Sequence, residues 1–266
     1  MHKKEKKVIV FEGIDGCGKS TVLKILYEKL TEEGKICKIL TTPLMINNIR
    51  DILKVETAEK YYDYIYEDAL ASVMYADKIS AVMPGGVLYE EVMDAETEII
   101  LMDRFIYSYF VYNYMKCVDD SIIALHTIDN KIDELMEPLH KRASFYYVYL
   151  KLDSNDANSM IDSRGTTREY TEISNQDSRG KFFDALFTPD PSIIVELNSM
   201  QLMRTGKDFG PIHMETKYPT PYINMLITYN QKYESGERAT PLEIAMNLKS
   251  YIIDEIWKNK NDATND

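Results

Sequence analysis

The stretch Val8–Leu26, VIVFEGIDGCGKSTVLKIL, decides the fold of this chain. Val8, Ile9, Val10 and Phe11 are a short apolar run of the kind that forms a buried strand. Gly13-Ile14-Asp15-Gly16-Cys17-Gly18-Lys19-Ser20 follows and fits G-x-x-x-x-G-K-[ST] at every fixed position. Val22, Leu23, Ile25, Leu26 and Leu30 then recur at helical spacing. Strand, glycine loop and helix are the setting in which this pattern holds phosphates. Gly13, Gly16 and Gly18 let the backbone curl so that several N–H groups converge on one anion, and the positive end of the helix adds to that field. In such a site Lys19 reaches the β- and γ-phosphates and the Ser20 hydroxyl sits on Mg²⁺. The candidate ATP-binding residues are therefore Gly13, Asp15, Gly16, Cys17, Gly18, Lys19, Ser20 and Thr21. Cys17 reads as a small filler within the loop rather than as a nucleophile.

Outward from this stretch, strands and helices alternate. Glu33-Gly34 closes the first helix, and Ile36–Thr41 reads as a second strand ended by Pro43. A short helix is expected around 49–53 and a long helical stretch over 57–83. Pro84-Gly85-Gly86 breaks it, and a further short helix runs through Met93. Glu98–Met102 reads as a third strand, ending at Asp103-Arg104. Residues 106–117 and 121–141 carry helical patterns, and Phe145–Leu152 is a strongly strand-forming run. Helices are expected over 155–164 and 174–187, with a polar, arginine-bearing segment between them. Residues 188–221, with prolines at 189, 191, 211, 219 and 221, read as an insertion. Ile223–Thr228 is the expected last strand, and 240–258 a closing helix begun by Thr240-Pro241. This alternation implies an α/β fold, a parallel sheet covered on both faces. The expectation is a single domain over 1–266, with a lid region at 154–187.

Composition bounds the partners. The chain has 266 residues and a formal net charge of −12, with a pI near 4.9. That argues against a protein that wraps nucleic acid or lies on a membrane, but not against an anionic small substrate held by a few local cations. There are 3 Cys and no CxxC pair, so neither a disulfide framework nor a zinc site is suggested. His2, His126, His140 and His213 show no metal spacing. No apolar run approaches the roughly 18 residues of a membrane span, and the basic start MHKKEKK lacks the apolar core of a signal peptide. The expected setting is reducing and cytoplasmic. The 20 tyrosines are read as amphipathic packing.

Two further groups carry chemistry. Asp103-Arg104 ends a buried strand, and ligands of open α/β sheets bind beyond the carboxyl ends of strands, the edge that also carries the phosphate loop. A carboxylate there can hold Mg²⁺ and an adjacent arginine can clamp a phosphate with its planar fork; a plain strand-end salt bridge is the competing reading. Arg164, Arg168 and Arg179 flank a segment that also holds Asp162, Glu169, Glu172 and Asp177. It reads either as a solvated surface or as a mobile lid whose arginines stabilise charge on a transferring phosphoryl group.

With these residues in view, the sequence resembles the thymidylate kinase family of P-loop nucleoside-monophosphate kinases. FEGIDGCGKST is similar to that family's FEG-x-D-G-x-GK-[ST]-T form. Met102–Asn113, MDRFIYSYFVYN, resembles its DRY-containing segment, which usually closes in Tyr-Gln. Met74-Tyr75-Ala76-Asp77-Lys78 is similar to its Phe-x-x-(Asp/Asn)-Arg stretch, and Ile49-Arg50-Asp51-Ile52-Leu53 to its Ile-Arg-x-x-Leu helix. The likeness covers about residues 6–187 and the last helix. It implies a three-layer P-loop kinase fold with strand order 2-3-1-4-5, ATP and Mg²⁺ as cofactors, and a homodimer; the apolar, Tyr-rich helix expected at 57–83 is the candidate interface. It implies that Asp15 binds the acceptor sugar 3′-hydroxyl and that Arg104 and Arg50 hold the acceptor phosphate. Met74, Lys78, Tyr112 and Asn113 stand where the family surrounds and reads the base. Ser20 and Asp103 are the implied metal residues, and Lys19, Asp103, Arg104, Arg164 and Arg168 the catalytic set. Gly16 stands where some members carry an arginine, so the catalytic cation is expected from the lid.

The chain departs from that pattern in three places. Where the family shows Arg-Glu-Pro-Gly-Gly after strand two, it has Thr41-Thr42-Pro43 and then Leu44-Met45. Its base-reading trio is Met74, Lys78 and Asn113 rather than Phe, Arg and Gln. Residues 188–221 have no counterpart. The implied reaction is ATP-dependent phosphorylation of a deoxypyrimidine monophosphate, dTMP first, with a modified pyrimidine open. Two other readings stand beside it: a deoxynucleoside kinase, which needs a carboxylate base near strand two, and a nucleotide-binding regulatory module without turnover.

Overall fold

The centre of the sheet is set by two strands that are buried almost throughout. β1 (Lys6–Glu12) is buried at all seven positions, and β4 (Ala143–Lys151), rich in Tyr, Phe and Val, is buried at all but its last residue. Strands covered on both faces belong in the middle of a parallel sheet. The computed structural model describes residues 6–41, 76–108, 111, 134–163, 176–187, 225–233 and 235–250. In it β1 lies between β3 (Ile99–Asp103) and β4, with β2 (Cys37–Thr41) outside β3 and β5 (Met225–Asn230) outside β4. The order is β2-β3-β1-β4-β5, with every pairing parallel. This is the expected three-layer P-loop kinase arrangement.

β1 extends past its apolar run because both neighbours pair with it: Lys7 opposes Ile99, Lys6 opposes Ala143 and Glu12 opposes Tyr149. Helix α1 (Lys19–Glu32) follows the loop and turns Val22, Leu23, Leu26 and Leu30 into the core. It ends where Gly34 takes φ 77° and donates to Thr31, the left-handed stop that glycine permits. Helix α2 (Val87–Met93) precedes β3, and α3 (Ser154–Asp162) follows β4, capped by Asp153, whose carboxylate accepts from the Asp156 N–H at 2.9 Å. Helix α4 (Gln176–Phe187) packs along β4, where the Tyr149 and Phe183 rings stack at 5.4 Å. Helix α5 (Pro241–Lys249) packs on α1 and begins with a capping box between Thr240 and Glu243.

Strand boundaries differ by one or two residues: β3, expected at Glu98–Met102, lies at Ile99–Asp103, and β4, expected at Phe145–Leu152, lies at Ala143–Lys151. The last strand was expected at Ile223–Thr228 and lies at Met225–Asn230. Its end follows its partner, since Tyr229 opposes Leu150 and Asn230 opposes Lys151, and the Asn230 side chain then accepts from the Lys232 N–H to close the turn. The expected helices at 49–53 and over most of 57–83, 106–117 and 121–133, the lid centre at 164–175, the insertion at 188–221 and the end of the closing helix lie outside the described residues. Among the described residues no helix is long and apolar enough to cross a membrane.

The helical residues 134–140 end on His140, whose ring meets Phe145 at 4.6 Å. Burial pulls this imidazole down to about 4 from its ordinary 6.5. The unfolded chain therefore binds more protons than the folded one between those values. The contribution is fully present above 6.5 and is lost as pH falls toward 4. Thermal unfolding at a series of pH values is expected to show the melting temperature of His140→Leu falling less steeply than that of the native chain across this window.

Candidate active site

β1 and β3 end side by side at the carboxyl edge of the sheet, with Phe11 opposite Asp103. The glycine loop leaves β1 at this edge. Gly16 and Gly18 take φ 84° and 87°, and Gly18 is the N-cap of α1, so the first N–H groups of the helix face the loop's hollow. Gly16 is required here for space as well as for its dihedral. A Cβ on it would come within 2.4 Å of the Ala157 carbonyl oxygen and 2.8 Å of Ile161, both on α3. No side chain fits at that position, so a loop arginine is sterically excluded.

Lys19 is 5 % exposed and folds back into the loop. Its ammonium donates to the Gly13 carbonyl at 2.9 Å and the Ile14 carbonyl at 2.7 Å, and contacts Cys17 Sγ at 3.4 Å. Cys17 is fully buried, as a filler would be. Its carbonyl accepts from Gln231 Nε2 at 2.8 Å, and Gln231 Oε1 accepts from Arg238 at 2.9 Å. The turn after β5 thus ties down the far side of the loop. Ser20 donates its hydroxyl proton to the Asp103 carboxylate at 2.5 Å. A hydroxyl and a carboxylate in contact are hard oxygen donors of the type that suits Mg²⁺.

The second half of the site is a charged chain running inward from Asp15. Arg104 donates to Asp15 from one guanidinium nitrogen and to Ser108 Oγ at 3.1 Å from another. Ser108 in turn donates to Glu12, whose other carboxylate oxygen accepts from the Phe105 N–H at 3.0 Å. Among the described residues Arg104 is the one non-glycine with positive φ, at 70°. Its own N–H donates to the Phe11 carbonyl at 2.9 Å, so the surrounding bonds hold a backbone conformation that an arginine otherwise avoids. Arg179, on α4, reaches the other Asp15 oxygen at 4.0 Å.

Glu12 is fully buried, and burial pushes its carboxyl above the usual range, opposed by the Ser108 and Phe105 hydrogen bonds and by the Arg104 charge. Lys78 is 3 % exposed. Burial brings its ammonium down to about 8; Arg104 acts in the same direction, while Asp77 and Glu12 oppose it. Lys78 is thus a buried cation within electrostatic reach of Glu12 and Arg104.

Of the residues singled out in the sequence, the structure brings Asp15, Lys19, Ser20, Asp103, Arg104 and Arg179 to one edge, and buries Lys78 within electrostatic reach of Glu12 and Arg104. Arg50, Met74, Tyr112, Asn113, Arg164 and Arg168 lie outside the described residues. Glu12, Ser108 and Gln231 were not anticipated. Glu12 had one signal, a charged residue closing an apolar strand immediately before the loop; Ser108 and Gln231 had none.

Comparison with known proteins points the same way. Residues 11–127 match the family described as thymidylate kinase. A probable thymidylate kinase of Methanococcus maripaludis is 30% identical over 165 residues, covering 59% of this chain and 66% of that protein. A probable thymidylate kinase of Sulfolobus acidocaldarius is 28% identical over 184 residues, 67% of this chain and 88% of its own length. A thymidylate kinase of Thermoanaerobacter pseudethanolicus is 32% identical over 111 residues, 40% and 49% of the two lengths. The chain thus spans just under two thirds of the Methanococcus relative it matches. The matched region holds both the phosphate loop and the Asp103-Arg104 segment, and over that region this chain is similar to the thymidylate kinase family.

Proposed function

We propose that the protein transfers the γ-phosphoryl group of ATP to a deoxypyrimidine nucleoside monophosphate, with dTMP as first choice. The observation that carries this reading is the adjacency of two anion-handling groups at one sheet edge: the glycine loop with Lys19, and Arg104 held between Asp15 and Ser108. The first suits a triphosphate and the second the phosphate of an acceptor.

In this reading an acceptor phosphate oxygen attacks the γ-phosphorus and the bond to the β-phosphate oxygen breaks, releasing ADP. The acceptor phosphate is already ionised near neutral pH, so no general base is required. The work is positioning and charge neutralisation. Lys19 would exchange its loop carbonyls for phosphate oxygens. Ser20 and Asp103 would hold Mg²⁺, which supplies further neutralisation when bound. Arg164 and Arg168, in a lid spanning 154–187, would complete the cation set. A nucleoside acceptor is not favoured: Thr41 ends β2 without a carboxylate base, and the relatives reported above are described as thymidylate or probable thymidylate kinases.

The test is ADP release with dTMP, dUMP, dCMP, dGMP and thymidine as separate acceptors. Turnover with dTMP is the expected result. Turnover with thymidine alone, or ATP binding with no turnover on any acceptor, would replace this reading. Lys78 adds a pH signature. Its ammonium is the charged form below about 8 and loses its proton above it. The KM for the acceptor is expected to rise as pH passes 8, and in Lys78→Arg that rise should move beyond the accessible range because guanidinium stays charged.

A further inference from the structure

Gln176, the first residue of α4, is completely buried, and neither its amide oxygen nor its amide nitrogen has a hydrogen-bond partner. Such a group is rare in a folded protein and calls for an explanation. Its place narrows the choice. On a helix, residues three and four apart share a face. Gln176 therefore lies one turn before Arg179 and Gly180. Arg179 is 4.0 Å from Asp15, and Gly180 lies so close to Ile14 that an added Cβ would sit 3.9 Å from that side chain. The unsatisfied amide thus belongs to the face of α4 that meets the phosphate loop at Ile14 and Asp15.

We propose that the Gln176 amide binds a hydroxyl group on the sugar of the acceptor nucleotide, an inference that rests on the function proposed above. The amide offers one acceptor and one donor edge, so its match is a neutral group that both donates and accepts. The neighbouring Asp15 carboxylate disfavours a phosphate there. A sugar hydroxyl and the edge of a pyrimidine base both have this chemistry. The loop selects between them. Asp15 and Lys19 belong to the same tight turn, so the part of the acceptor lying against Asp15 is the part nearest the reacting phosphate, which is the sugar.

The experiment compares the native protein with Gln176→Met, which keeps the side-chain length and removes both polar edges. Binding of dTMP and of its 3′-deoxy analogue is measured by titration calorimetry, and KM and kcat by ADP release. The native protein should bind the 3′-deoxy analogue several-fold more weakly than dTMP. Gln176→Met should weaken dTMP binding about tenfold, as loss of one well-made hydrogen bond does, while leaving the 3′-deoxy analogue and kcat unchanged. An equal loss with both ligands, a changed preference between dTMP and dCMP, or no loss with dTMP would each overturn the assignment. Gln176→Leu serves as the second variant should Met pack poorly, with thermal unfolding to confirm that either folds. Failure of the parent reading has a different signature, in which the native protein binds neither nucleotide.

Discussion

Replacing Lys19 with alanine is expected to lower kcat by a factor on the order of a thousand, measured as ADP release at saturating ATP and acceptor. The ammonium is the loop's own cation. It sits within hydrogen-bond reach of the Gly13 and Ile14 carbonyls, at the centre of the curl whose N–H groups are arranged for an anion. Moving it from those carbonyls to phosphate oxygens requires only rotation about side-chain bonds. The charge it neutralises grows as the transition state forms, so its loss should fall on kcat more than on KM. Lys19→Arg is not expected to rescue. The residue is 5 % exposed and packed against Cys17, and a planar guanidinium is wider than the point charge it would replace. An unchanged melting temperature in the alanine variant would assign the loss to chemistry. Near-normal turnover would remove Lys19 from the phosphate contact.

Removing the Arg104 side chain should mainly raise the KM for the nucleotide acceptor, by roughly ten- to a hundredfold, the range for losing charge-assisted hydrogen bonds. Glycine is the informative replacement, because it takes φ 70° without the steric cost the native residue bears. In Arg104→Gly the buried Glu12 keeps its bonds from Ser108 and Phe105, and Asp15 keeps its ion pair with Arg179. The fold should therefore survive while the acceptor is lost, and the KM for ATP should change little. Arg104→Lys should recover only part of the affinity, since one ammonium cannot span Asp15 and Ser108 as the guanidinium does. Equal losses for ATP and acceptor would show that Arg104 supports the loop rather than the acceptor.

The two variants differ in how legible their residues were. Lys19 was readable because every fixed position of its motif lies within eight residues and is flanked by a strand and a helix whose patterns are local. Arg104 was visible as the end of an apolar run, but its strained backbone and its partners were not. Asp15 is 89 residues away and Glu12 joins Ser108 across 96. No periodicity connects positions at such separations. The last strand shows the same limit on a smaller scale: its apolar run suggested an end at Thr228, and its pairing with β4 carried it to Asn230.

Short-range physics alone determined the strand–loop–helix unit, the parallel α/β class and the anion-binding character of the N-terminal bend, because backbone freedom, apolar spacing and helix capping act over a few residues. Tertiary structure alone decided that Gly16 must stay bare beneath α3, that Glu12 is buried with Ser108 and Phe105 as its partners, and that the Gln176 amide is buried unsatisfied on the helix whose Arg179 reaches Asp15. The physical reason is that burial and hydrogen-bond satisfaction depend on which segments the sheet order brings together, and only the folded chain specifies those neighbours.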